Sequence, residues 1–539
     1  MKGIALDLGT SGFRAQAIDA DGKVLCTVIS GRHPLPGANV MDHLHFAIDA
    51  GQDTAHRLVV AAVNVIIDCL GIDLEEVTRV AVCGNPIQLS LFEGGEIRDL
   101  AFAGKNALKK LGIEPLQRGA KVVKASDIGL NLPKNADVLI PPVVKHEIGA
   151  DALAMMYMTK ILERDEVALV TDYGTNAEMA LKVGDQIYTG SAAAGPALEG
   201  QHITAGMLAA PGAIADIQNV EGFWECYILD HDLNSVPGDR LSPLTGQLRR
   251  RGFENNRARG ITGTGVVAVL ALGIRNGLIG PPAITNKLGT VFLQDGIVIK
   301  EKDVKEAGKA IGAIRAGHLT LVEAAGISIH DVEVMYMTGA SGTYVDARKA
   351  QQVGLLPGSI KRVVQAGNTS LAMAGELVRD PDLLEKLQVM ADSIRTNHIM
   401  FADSKVFKSA YTVELAYWDE GMPFSMFNDM LKMYKIQPLP ELEKDLQVVR
   451  LTKCDILDIG RSLEVIYNLG ITLSKQLDGC TGCRVCEDEC PESALKIAQD
   501  IGAWKVMINS ELCSGTACRR CESECPVDCL KLDKTQYVL

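Results

Sequence analysis

Nine of the fourteen cysteines lie between positions 480 and 529. Cys480, Cys483, Cys486 and Cys490 are spaced C-x2-C-x2-C-x3-C and are followed by Pro491. Cys513, Cys518, Cys521 and Cys525, followed by Pro526, repeat the run with four residues instead of two after the first cysteine. Three thiolates within seven residues can wrap the corners of a [4Fe–4S] cube, and in paired runs of this kind the fourth cysteine ligates the other cube. Cys480, Cys483, Cys486 and Cys525 are therefore expected on one cluster, and Cys490, Cys513, Cys518 and Cys521 on the second. Zinc prefers four ligands in two separated pairs, and disulfides need an oxidising compartment. Residues 1–20 lack a basic segment followed by an apolar one, because Asp7 interrupts the only apolar start. One-electron chemistry in a cytoplasmic setting is the expectation. Cys529, one helical turn past Cys525, reads first as a packed thiol, with a lesser claim as a ligand.

A second chemistry begins near the N-terminus. In residues 3–19, GIALDLGTSGFRAQAID, an apolar strand carries Asp7 near its end and turns through Gly9, Thr10, Ser11 and Gly12 into a second strand. A carboxylate beside backbone N–H groups and hydroxyls can hold Mg2+ and phosphate, although a plain hairpin turn uses the same residues. The pattern recurs at 167–180, VALVTDYGTNAEMA, with Asp172 165 residues after Asp7 and followed by Gly174, Thr175 and Asn176. Two such turns at matching places in successive α/β segments indicate a duplicated fold with a phosphate clamp from each half. They resemble the phosphate-1 and phosphate-2 loops of the superfamily that unites actin, the heat-shock chaperone ATPases and the sugar kinases. The adenosine loop of that superfamily is similar to VMYMTGASG at 334–342, where Gly339, Ser341 and Gly342 are expected to face the nucleotide and Ala340 replaces the usual second glycine.

The elements that must position these residues follow from composition and periodicity. At 539 residues and 47% hydrophobic, the chain can bury a large core in about three to four domains. With 67 acidic against 54 basic residues the net charge is −13, which disfavours nucleic acid as a partner. The longest apolar runs, 59–67 and 265–274, fall short of the roughly 20 residues a membrane span needs. Helices are expected over about 50–70, with Leu58, Ala61, Ala62, Val65, Ile66 and Cys69 on one face, and over 148–162, 260–273 and 305–325. His43, His45 and His56 read as core or solvated residues and not as a metal site. The division expected is 1–165 and 166–375 for two ATPase lobes, 376–474 for a connector and 475–539 for the cluster domain. Within the connector, helices are expected at 381–394 and 454–469 and a β-like run at 411–417, and Cys454 reads as structural.

Residues 190–214, GSAAAGPALEGQHITAGMLAAPGAI, together with 307–316, 367–374 and the phosphate loops, closely resemble the ATP-dependent reductive activators of corrinoid proteins over about 1–375. Where that group carries an N-terminal plant-type [2Fe–2S] domain, this sequence opens on the phosphate loop and carries two C-terminal cluster runs. The arrangement is similar to the branch serving the methylamine methyltransferases of methanogens. The resemblance implies an α/β fold of the actin, chaperone and sugar-kinase type, duplicated, with a C-terminal α+β ferredoxin-like domain for two [4Fe–4S] clusters. It implies ATP and Mg2+, Asp7 and Asp172 as catalytic carboxylates, and Gly9, Thr10, Ser11, Gly174, Thr175 and Asn176 on phosphate. The implied reaction is reduction of Co(II) to Co(I) on corrinoid proteins of methylamine methyltransferases, fed by a low-potential electron donor, without nucleic acid or membrane. A sugar- or acetate-type kinase fused to a ferredoxin, and a nucleotide-binding electron carrier, stay open as alternatives.

Overall fold

Lys2–Leu8 is buried at every residue but the first, as befits a strand flanked by strands and covered on both faces. It is the centre of a seven-stranded sheet whose spatial order is Leu463–Ile466, Val24–Ser30, Phe13–Ile18, Lys2–Leu8, Val77–Gly84, Asp137–Ile140 and Lys121–Lys124. The computed structural model describes residues 2–532 except 38, 102–111, 114–115, 145–147, 175, 201, 253–256, 395, 453–454, 501 and 516–517, so Thr175 and Cys454 lie outside the described residues. The chain forms two compact units, Met1–Ala150 with Ala374–Ala391 and Ile459–Leu539, and Asp151–Met373 with Asp392–Asp458.

The second unit repeats the architecture of the first. Its seven-stranded sheet runs Thr396–His398, Gln186–Ala192, Ala177–Val183, Ala168–Asp172, Val334–Thr338, Arg362–Gly367 and Gln447–Arg450. In both sheets an antiparallel three-stranded meander leads into parallel strands, and a short late strand joins the outer edge of the meander in parallel. Asp7 pairs in register with Cys83, and Asp172 pairs with Thr338, so the two aspartates occupy the same place in the two sheets. The architecture is thus a duplicated α/β fold of the expected kind.

Residues 376–474, expected as a connector, are distributed between the units, because Thr396–His398 and Gln447–Arg450 extend one sheet and Leu463–Ile466 the other. Two local expectations fail there. The run 411–417 is rich in β-formers but lies inside the helix Lys405–Trp418, since Ala410, Val413, Glu414 and Tyr417 recur at helical spacing and face the core. That helix crosses Glu301–Ala325 at Gly308 and Gly312, where an added Cβ would stand 2.6 Å from Trp418 and 2.6 Å from Glu414. A helix over 454–469 does not form in the described part; Leu463–Ile466 pairs as a strand beside Val24–Ser30. The helix Gln52–Cys69 buries Leu58, Val59, Ala62, Val63 and Ile66, and leaves Val65 exposed on the opposite face from the one expected.

The last part of the first unit is a three-stranded antiparallel sheet, Thr472–Leu477, Ala503–Asn509 and Leu495–Asp500, with short helices Val485–Asp488 and Arg520–Ser523. It is tied to the rest of that unit by the Gly37 N–H, which donates to the Cys513 carbonyl at 2.8 Å, and by an Arg519–Asp49 ion pair of 3.6 Å. No helix among the described residues is long and apolar enough to cross a membrane.

Candidate functional site

The first loop closes tightly. A Cβ on Gly9 would meet the Gly12 carbonyl oxygen at 2.8 Å, so only glycine permits the turn that follows Leu8. Asp7 is 5% exposed and Ser11 3%, and Asn85 Nδ2 donates to Thr10 Oγ1 at 3.0 Å. Arg14, paired with Asp7 across the hairpin, places Nη1 3.4 Å from Asp7 Oδ2. Neither Arg14 nor Asn85 was singled out by the sequence. The partner of Asp7 was readable from hairpin register, whereas Asn85, which caps the helix Pro86–Glu93, carries no local signal for its reach to Thr10.

The second loop gathers carboxylates. Thr338 Oγ1 donates to Asp172 Oδ2 at 2.8 Å, and the Tyr173 N–H donates to the Thr338 carbonyl at 3.1 Å. A Cβ on Gly339, whose φ is +80°, would stand 2.6 Å from Asp172 Oδ1, so the expected phosphate-2 and adenosine loops touch here. Gly174 lies within reach of Asp172, Asn176 and Glu199, the last belonging to the 190–214 segment. Ser341 Oγ donates to the Leu198 carbonyl at 2.6 Å, so that hydroxyl fixes the same segment. Buried Gln365 donates to the Gly342 carbonyl at 2.7 Å and holds the far end of the adenosine turn.

Glu178 is a further residue that sequence reading missed. It is buried on Ala177–Val183 and accepts a hydrogen bond of 3.3 Å from Ser191, its cross-strand partner. Burial, then the nearby charges of Asp151 and Asp172, hold its carboxyl well above the usual range. An acid on the inward face of a strand that starts five residues after Asp172 was the available signal.

The eight expected thiols fall into two sets. Burial raises the Cys486 thiol, and its charged neighbours are Cys525, Cys480 and Cys483. Burial pushes Cys521 up to about 12, with Cys513, Cys490 and Cys518 as its thiol neighbours. Cys513 is likewise pushed up to about 11 by burial, beside Cys490 and Cys518. The second set lines one apolar cavity with Leu495 and Ile508. These are the groupings expected from spacing, including the exchange of the fourth cysteine between runs.

The two runs are built alike. Gly482 and Gly515 each donate an N–H to the sulfur two residues earlier, Cys480 and Cys513, at 3.4 Å in both cases. Arg484 and Arg519 both take positive φ, +62° and +47°, at the start of a short helix, and Ser493 and Asp528 both sit at +50° after the fourth cysteine. Among the described residues no three His, Cys, Asp or Glu side chains converge closely enough for one metal ion. A cube takes one thiolate at each corner and so needs ligands held apart; thiols grouped in two fours, with N–H donors on the sulfurs of Cys480, Cys490 and Cys513, fit that group. The Cys529 sulfur lies 3.7 Å from that of Cys525.

Residues 2–164 match the family described as the RACo middle region, and residues 166–428 the family described as the C-terminal domain of RACo, the ASKHA domain. A protein of Methanosarcina barkeri named [Co(II) methylated amine-specific corrinoid protein] reductase is 48% identical over 518 residues, covering 95% of each chain. The corrinoid activation enzyme RamQ of Eubacterium limosum is 26% identical over 395 residues, 66% of this chain and 60% of that one. A solved structure titled reductive activator for corrinoid, iron-sulfur protein superposes with a TM-score of 0.64 at 22% identity, over 78% of this chain and 68% of that one.

Proposed function

The chain belongs to the RACo family, and on that premise we propose that it reductively activates the corrinoid proteins of methylamine methyltransferases in methanogenesis from methylamines, using ATP to drive Co(II) to Co(I). The observation that carries the reading is the coexistence, in one chain, of eight thiols in two sets of four and two topologically equivalent Asp-Gly loops. Near-full-length similarity to a reductase named for methylated-amine corrinoid proteins supports the choice of partner.

Cys480, Cys483, Cys486 and Cys525 hold one [4Fe–4S] cluster, and Cys490, Cys513, Cys518 and Cys521 the other. Such clusters supply storage and passage of single electrons at potentials tuned by hydrogen bonds and exposure. The N–H groups of Gly482, Gly515 and Ala494 provide those hydrogen bonds, on Cys480, Cys513 and Cys490. Each 59 mV or so of adverse potential costs tenfold in a one-electron equilibrium, so an acceptor far below its donor needs an added source of free energy.

ATP provides it. Phosphoryl transfer depends on positioning and charge neutralisation more than on covalent chemistry. Asp7, steadied by Arg14, and Thr10, steadied by Asn85, bind Mg2+ and phosphate with Gly9 and Ser11. Asp172, one oxygen fixed by Thr338, orients the attacking water or the metal, and Glu178 beside it receives the proton. Gly174, Thr175 and Asn176 complete the second phosphate loop, and Gly339, Ser341 and Gly342 take the adenosine. The reading places the protein in the cytoplasm, supplied by a low-potential donor. ATP turnover measured with and without a methylamine corrinoid protein tests it: stimulation by the Co(II) form is expected, turnover dependent on a sugar or acetate would mean a kinase, and no turnover at all a plain carrier.

A further inference from the structure

Five thiols, not four, stand at the first set. Besides Cys525 at 3.7 Å, Cys529 has Cys480 as a neighbour. The duplicated build of the two runs shows what is unusual. In the first run the chain turns after Cys490 through Ser493, whose N–H donates to the Cys490 carbonyl at 3.1 Å, and Ala494 then donates its N–H to the Cys490 sulfur at 3.3 Å. In the second run Asp528 donates to the Cys525 carbonyl at 3.1 Å, and the residue in the place of Ala494 is Cys529. A backbone site built to donate to the ligand sulfur therefore carries a methyl in one half and a thiol in the other.

The separation is chemically specific. Metal–thiolate bonds of about 2.3 Å set tetrahedrally place two sulfurs about 3.8 Å apart, so Cys525 and Cys529 address the same corner iron and not two different corners. Both cannot bind it while three sulfides fill its other positions. The spare thiol donates its S–H to the bound sulfur, which lies within the range of a sulfur hydrogen bond. We propose that Cys529 is a reserve ligand for the Cys525 corner of the first cluster: it hydrogen-bonds the Cys525 sulfur while that residue is bound and takes over the iron when it is not. In the exchange the iron–sulfur bond to Cys525 breaks and one to Cys529 forms, and the Cys529 proton passes to the released Cys525 sulfur. No electron moves, so cluster charge and oxidation state are unchanged.

The inference rests on the two-cluster reading, and the variants separate the two. Full-length protein is reconstituted anaerobically, and its iron and sulfide content and the EPR spectrum of its reduced form are recorded. Wild type should hold about eight irons; a markedly lower value defeats the cluster assignment itself. Cys483→Ala, which has no spare thiol, should fall to about four. Cys525→Ala should keep about eight with an altered EPR signal, and Cys525→Ala/Cys529→Ala should fall to about four. Cys529→Ala should keep all its iron with a lower potential for that cluster, because a donor to its sulfur is lost. Iron loss in Cys525→Ala as complete as in Cys483→Ala overturns the proposal.

Discussion

Asp7 and Asp172 end equivalent strands, yet they stand in opposite electrostatic company. Asp7 faces a guanidinium at 3.4 Å, so much of its charge is balanced within the protein. Asp172 faces a hydroxyl and has Glu178 as a buried neighbour with a raised carboxyl pKa, and Asp151 adds to the same field. Duplication thus conserved a position and diverged in charge. The half that gathers Asp172, Glu178 and Asp151 would gain more from a divalent cation, whereas in the other half Arg14 already offsets part of the Asp7 charge.

The contrast ranks the effects of substitution on ATP hydrolysis. Asp172→Asn should be the most damaging, on the order of 100-fold in kcat, because a preorganised charge is lost where nothing replaces it. Glu178→Gln should cost roughly 30-fold, in the range of a lost general base, with KM little changed. Asp7→Asn should cost about tenfold, and the loss should be partly recovered by adding Arg14→Met, since an uncompensated guanidinium is then removed. Equal losses at Asp7 and Asp172 would break the comparison. Cys483→Ser should remove about four irons while leaving basal hydrolysis within about twofold, because neither loop contains a thiol.

The smallest expected effect is on stability. Burial lowers the pKa values of His33 and His318 from 6.5 to about 3, and holds His43 well below its usual value. The unfolded chain binds those protons first, so stability should be full above about pH 6.5 and should decline as pH falls toward 3. Denaturant unfolding of His318→Asn at several pH values should show a shallower decline over that window than wild type.

What was legible in the sequence was whatever short spacing encodes. Cys480 to Cys525 revealed both sets because three ligands of each cube are local, and the two Asp-Gly turns exposed the duplication because a strand, a turn and a strand are contiguous. What escaped depends on contacts far apart in the chain. Leu463–Ile466 is a strand only because Val24–Ser30 offers it an edge, and Tyr411 to Tyr417 are helical because Glu301–Ala325 presents glycines to receive them. Asn85 serves Thr10 across 75 residues, and no local pattern announces that bond. Glu178 was overlooked for a different reason: its strand position was clear, but its burial beside Asp172 and Asp151 is a tertiary fact.

The most direct test of the account follows the corrinoid and the clusters together under anaerobic conditions. Chemically reduced protein is mixed with a Co(II) methylamine corrinoid protein, with ATP, with a non-hydrolysable analogue or without nucleotide, while cobalt is read by visible absorption and the clusters by EPR. The account predicts reduced clusters in all three mixtures and Co(I) only where ATP can be hydrolysed. Co(I) formed equally fast without nucleotide would contradict it and leave the protein an electron carrier.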